Sequence, residues 1–267
     1  MREVTSIDDL SKVTLEEGVL RITISTAANG TSLDDEGMIQ GAVALESFGD
    51  DIGSILLVGE GPNFCAGGNV RAFASAPDRG EYVEGVAQNL HTFVRALDAA
   101  SVPVVAGIHG WAAGAGMSLV CLADIAIGGT STKLRPAYPS IGFTPDGGMS
   151  WSLPRIVGAG RAREILLSDS VIGGDEAVRL GILTRLVGDD EVQEEAARLA
   201  RTLAHGPSSS YAGIKALLRS SRTNTLSEQL DAEAASIKTA ANSPIGREGV
   251  DAFVEKRRPD FVAAKQA

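Results

Sequence analysis

Cysteine and histidine are scarce in this chain, and each scarcity removes a class of protein. The two cysteines, Cys65 and Cys121, lie inside apolar motifs and not in a spaced framework, as the reduced thiols of a cytosolic protein do. Of the three histidines, His109 and His205 have no cysteine or carboxylate at ligand spacing, so no metal site is expected. Positive charge is short as well. With 24 Lys and Arg against 34 Asp and Glu the formal net charge is −10, and the basic footprint of a nucleic-acid binder is missing. No apolar run reaches the ~18 residues of a membrane span, and residues 1–10 carry acids but no signal-peptide core. A cytoplasmic, non-membrane protein is expected.

Three common motifs also fail on spacing. Gly114-Ala115-Gly116-Met117-Ser118-Leu119 lacks the third glycine of a dinucleotide fingerprint, and no acid about 20 residues on ends a second strand. No Lys-Ser or Lys-Thr follows a glycine loop, which excludes a P-loop. Gly148-Met149-Ser150-Trp151-Ser152 does not close with the glycine of a nucleophile elbow.

What the chain does have is two glycine turns, each at the end of a buried strand. Residues 102–108 are rich in β-branched side chains; Gly110, Gly114 and Gly116 interrupt them before an apolar run, 117–122, starts with helical spacing. A strand, glycine turn and helix in that order point free N–H groups and a positive helix end at whatever lies above the turn. The second turn comes earlier. Residues 54–59 (SILLVG) read as a strand, Glu60-Gly61-Pro62 as a turn, and Asn63 to Val70 as a loop of small residues. If the sheet sets both strand ends side by side, two main-chain N–H groups converge on one oxygen.

With FCAGGNV for the first turn, and GWAAGAGMSL and CLADIAI for the second, the chain resembles the crotonase, or enoyl-CoA hydratase/isomerase, superfamily. The likeness extends through TPDGG at 144–148 and Leu153-Pro154-Arg155, with SWSLPR similar to the ring-1,2-epoxyphenylacetyl-CoA isomerase branch. The resemblance implies that the N–H groups of Gly68 and Ala115 hold the thioester oxygen of an acyl-CoA. Ala66, Gly67, Gly114, Ser118, Tyr138 and His91 would then surround the substrate. No separate cofactor is implied, because coenzyme A is part of the substrate, and a local basic patch must meet its phosphates. It also implies an α/β fold, a spiral of β-β-α units, with a C-terminal helical region that builds a homotrimer or hexamer.

The family's hydratases carry two glutamates, at positions that fall here on Ser118 and Tyr138. Neither is a carboxylate. Asp146 stands eight residues after Tyr138, where the family's isomerases and its 4-chlorobenzoyl-CoA dehalogenase place a working acid. One carboxylate suits moving one proton, so the expected reaction is an enoyl-CoA double-bond shift or ring isomerisation with Asp146 as acid and base. Three alternatives stay open: a hydratase adding water to a trans-2-enoyl-CoA, dehalogenase-like nucleophilic catalysis involving His91, and a non-catalytic acyl-CoA binder. Each residue also has a plainer role. Asp146 before two glycines could be a turn former that caps a backbone N–H, Tyr138 a packing wall, and Ser118 a helix-core residue.

The 267 residues, 44% of them hydrophobic, suffice for one large domain or one with an appendage. Residues 13–15 and 19–24 predict a hairpin, 34–48 a helix, 70–80 a mobile segment without a period, and 81–100 a helix with Val86, Leu90, Phe93, Val94 and Leu97 inward. A strand is expected at 124–127, and helices dominate after Ala159. Gly206-Pro207 is the expected break between a core (1–205) and a helical region (206–267). Residues 25–33, STAANGTSL, depart from the family's loop pattern and keep only Leu33.

Overall fold

The structure, a computed structural model, describes residues 10–266; the reading of residues 1–9 lies outside them. The hairpin β1 (Val13–Glu16) and β2 (Val19–Ser25) is antiparallel and turns at Glu17 and Gly18, both with positive φ, as the right-handed strand twist requires. Helix α1 (Asp35–Phe48) starts where the Asp34 carboxylate accepts the Gly37 N–H at 3.1 Å. Strand β3 (Ser54–Gly59) then lies parallel to β2, buried along its whole length. Its residues alternate. Ile55 and Leu57 face the larger core, while Leu56 and Val58 face the smaller core on the other side of the sheet, as expected of a strand covered on both faces.

Residues 70–80 are not irregular as expected. They hold a short helix, α2 (Val70–Ser75), which Asn69 caps and whose Phe73 is buried; six residues are too few to show a period. Helix α3 (Arg79–Ala99) follows, with Asp78 as its cap. Leu90, Phe93 and Leu97 are buried on it, whereas Val86 and Val94 are half-buried at the stripe's edge.

From here the chain repeats strand, strand, helix. Strand β4 (Val104–Ile108) joins the first sheet; Gly110, at φ +58° and with Pro62 O where a methyl group would stand, carries the chain across to β5 (Trp111–Ala113), and α4 (Ala115–Leu122) follows. Strand β6 (Ile125–Gly129), β7 (Lys133–Arg135) and α5 (Met149–Val157) repeat that order. After α6 (Ala159–Ser168) come β8 (Ile172–Gly173), α7 (Gly174–Arg179) and β9 (Arg185–Val187). The result is a six-stranded sheet in the order β1-β2-β3-β4-β6-β9, parallel except for the hairpin, and a three-stranded sheet, β5-β7-β8.

Helix α8 (Val192–Ala204) covers the outer face of the large sheet through Ala196 and Ala200, and Ser54 Oγ donates to Ala200 O at 2.8 Å. The chain passes through Gly206-Pro207 into α9 (Ser208–Ser220), α10 (Leu226–Asn242), α11 (Pro244–Val254) and α12 (Phe261–Gln266). Neither α9 nor α10 buries a residue, and Ile214, Leu218, Leu230, Ile237 and Phe253 are exposed. No helix among the described residues is long and apolar enough to cross a membrane.

Cys65 and Cys121 are buried in the core, and burial pushes both thiols up from 9.0 to about 12. An unfolded chain therefore loses these protons first as pH rises. Stability from the buried thiols is complete below about pH 9 and declines toward pH 12, on the order of 1 kcal/mol per thiol at pH 10. Under reducing conditions the urea midpoint should fall between pH 8 and pH 10, and Cys121→Ala should lessen that fall. An equal fall in the variant would exclude the thiol as its source.

Candidate active site

The two glycine turns meet. After β3 the loop turns back at Gly59, where any side chain would strike Phe64 O, and then runs beside β5. Phe64 N–H donates to His109 O at 2.8 Å, Cys65 N–H to Trp111 O at 3.1 Å, and Ala113 N–H to Cys65 O at 2.9 Å. These bonds extend the ladder past the strand ends and bring Gly67 against Gly114. A methyl group on Gly114 would lie 3.5 Å from Gly67 Cα, and one on Gly116 only 2.5 Å from Cys65 O. Gly67 has φ +93° and Gly114 φ +53°, conformations that other residues adopt only with strain. Ala115 opens α4, so its N–H belongs to the first turn and has no acceptor within the helix. Among the described residues, neither it nor the Gly68 N–H has a hydrogen-bond acceptor.

Opposite this cradle comes the acid. Ala137, at φ +62°, turns the chain after β7, and the Asp169 carboxylate holds the turn by accepting the Ala137 N–H at 2.7 Å and Arg135 Nε–H at 3.0 Å. Tyr138 follows, then a short 3-10 helix (Pro139–Ile141), and the chain returns to Asp146. The Tyr138 hydroxyl donates to Asp146 Oδ1 at 2.7 Å. Ser118, on α4, has its Oγ 3.1 Å from the Tyr138 hydroxyl and 3.0 Å from Asp146 O. Burial, and next the Asp146 charge, push the Tyr138 hydroxyl well above its ordinary value, so it stays protonated. Gly147 and Gly148, at φ +59° and +80°, complete the turn into α5. No side chain caps that helix, and the hydrogen-bonding partner of the Asp146 carboxylate is the tyrosine, not a turn N–H.

Ala66, Gly67, Gly68, Gly114, Ala115, Tyr138 and Asp146 line one cavity of about 700 Å³. Two expected members do not. Ser118 is fully buried behind the wall: Gly147 sits so close that a methyl group on it would lie 2.9 Å from Ser118 Cβ. His91 is likewise displaced, to a neighbouring pocket with Arg95, Asp98 and Trp151. Its Nε2 accepts the Gly147 N–H at 3.3 Å, from the far side of the turn. Spacing had fixed the helix it sits on but not the face it shows.

Other residues of the site carried no such signal. Phe73 and Phe143 stack at 6.1 Å on the cavity wall, and Tyr82 meets Phe73 edge-on at 6.2 Å. Arg79 and the exposed Glu84 border the opening from α3. Asp169 acts across 32 positions of sequence, where no local pattern could announce it. A larger cavity, about 1010 Å³ between α1 and α3, contains none of the candidate residues, so the smaller one is identified by chemistry and not by size.

Known proteins resemble this chain in sequence and in fold. A 1,2-epoxyphenylacetyl-CoA isomerase of Escherichia coli is 37% identical over 254 residues, which cover 92% of this chain and 96% of that one. A 4-chlorobenzoyl coenzyme A dehalogenase of an Arthrobacter species is 29% identical over 209 residues, 78% of this chain and 76% of the other. The crystal structure of an enoyl-CoA hydratase from a Polaromonas species superposes with a TM-score of 0.86 at 31% identity, over 93% of this chain and 98% of that one. Residues 14–264 match the family described as enoyl-CoA hydratase/isomerase. With the family matched along nearly the whole chain, and with its α/β fold shared, this protein is a member of the enoyl-CoA hydratase/isomerase family and an enzyme of the crotonase type.

Proposed function

We propose that the cavity holds an acyl-CoA with its thioester oxygen between the Gly68 and Ala115 N–H groups, and that Asp146 moves one proton along the acyl chain. Asp146 takes a proton from the α-carbon. The C–H bonding pair passes into the thioester, whose oxygen gains charge, and two fixed N–H dipoles stabilise that charge without having to reorganise. Asp146, now a carboxylic acid, returns the proton to a different carbon. The net change is a shifted double bond or a rearranged ring, with no water consumed.

The observation that carries this reading is that Asp146 lines the same cavity as both glycine turns, with Tyr138 beside it and Ser118 in contact with Tyr138; by the family resemblance, Ser118 and Tyr138 stand where hydratases have their two acids. Gly147 packs against Ser118, so the space a second carboxylate would need is occupied. The name of the Escherichia coli relative supports an isomerisation too. Dehalogenase-like chemistry with His91 has less support, because that imidazole lies behind the turn. Coenzyme A enters as part of the substrate. We further read residues 206–267 as the region through which copies assemble as a homotrimer or hexamer, on the strength of apolar side chains left exposed on α9 and α10. A place in cytoplasmic fatty-acid or related acyl-CoA metabolism follows from the same reading.

Product analysis tests it. Supplied separately with 3-hexenoyl-CoA and crotonyl-CoA, the enzyme is expected to convert the first to 2-hexenoyl-CoA and to leave the second largely unhydrated. 3-Hydroxybutyryl-CoA as the main product would replace the isomerase by a hydratase. Failure to turn over these or a ring-bearing acyl-CoA would leave a binder.

A further inference from the structure

We propose that Tyr138, backed by Ser118, is a positioning residue that fixes which oxygen of Asp146 does the work: Oδ1 is held, and Oδ2 carries the proton. This rests on the proton-transfer role proposed for Asp146 and deepens it. The Tyr138 O–H points at Oδ1 at 2.7 Å, and no protein donor among the described residues reaches Oδ2. A phenol has one proton to give. Since that proton goes to the carboxylate, Ser118 is the donor in its 3.1 Å contact with Tyr138. Ser118 has one proton as well, and Asp146 O, 3.0 Å from its Oγ, is a second acceptor in reach, so the serine bridges the tyrosine and the main chain of the acid through one shared proton.

The arrangement fits both halves of the reaction. In the carboxylate, Oδ1 accepts from Tyr138 and Oδ2 is free to attack an acyl C–H. Once the proton is on Oδ2, Oδ1 is the carbonyl-like oxygen and can keep the same donor, so nothing rotates between removing the proton and returning it. A carboxyl group without that donor would swing about its Cβ–Cγ bond and present either oxygen, losing the orientation on which proton transfer depends.

Tyr138→Phe keeps the ring that packs in the wall and deletes only the hydroxyl.

The experiment compares kcat and KM for wild type, Tyr138→Phe, Ser118→Ala and Asp146→Asn on one isomerised acyl-CoA. For Tyr138→Phe the expected result is kcat lower by about 10-fold with KM within about 2-fold, the split that loss of orientation without loss of binding gives. Ser118→Ala should lower kcat by less, again with KM near wild type. Circular dichroism and the urea midpoint report whether each variant is folded, and if Tyr138→Phe is not, Ser118→Ala carries the test. Wild-type kcat in a folded variant, while Asp146→Asn is inactive, overturns the positioning role and leaves the acid intact. Full activity of Asp146→Asn would instead remove the reading on which this proposal stands.

Discussion

Asp146→Asn is expected to lower turnover of a 3-enoyl-CoA by between about 10² and 10⁴-fold, the range that one positioned acid–base group supplies. The substitution is nearly isosteric, and the amide oxygen still accepts from Tyr138, so the turn and the cavity should keep their form. What disappears is an atom able to take a carbon-bound proton. Binding of a non-reacting acyl-CoA analogue, measured by calorimetry, should change little, because the remaining contacts come from the turns and the aromatic wall. Turnover equal to wild type would remove Asp146 from the chemistry. Loss of both turnover and analogue binding would make it a structural residue of the turn.

Gly116→Ala should be as damaging by a different route. Its methyl group would sit 2.5 Å from Cys65 O and 2.7 Å from Cys65 Cβ, inside a region where both partners are buried. Neither neighbour is the free end of a flexible side chain, so α4 must move away from the loop after β3. Overpacking of this kind costs about 1–3 kcal/mol. The functional loss should be larger than stability alone explains, since the displacement separates the two turns; loss of one fixed donor to an oxyanion costs about 10²–10³-fold in kcat. The check is kcat at a temperature where the urea midpoint shows the variant fully folded. A folded variant with wild-type kcat would mean that the spacing of the two turns is not what activates the thioester.

Much of this layout was readable beforehand, and the reasons are local. The run of apolar residues in β3 and β4 is what burial on both faces demands, and Leu90, Phe93 and Leu97 repeat at helical spacing because one side of α3 meets the core. The short strands β5, β7, β8 and β9 escaped, since two or three residues carry no alternation. Helix α5 was hidden by Pro154 within it and by the glycines before it. At the site, the motifs that carry the family resemblance point to Gly68, Ala115 and Asp146, which line one cavity, whereas the aromatic wall around Phe73 and the clamp by Asp169 depend on contacts between distant parts of the chain. His91 shows the limit most clearly: its position along α3 was known, and its side chain still serves the turn from behind.

The meeting of the two glycine turns has an implication for how such a protein changes over time. The ladder that unites them runs through Phe64, Cys65, Trp111 and Ala113 by peptide groups alone, with no contribution from what those residues carry. Peptide groups survive almost any exchange of side chain. Replacing Ser118, Tyr138 or Asp146 can therefore change the wall of the cavity while the frame that joins the two turns is inherited unchanged, and new chemistry can be tried without rebuilding the fold.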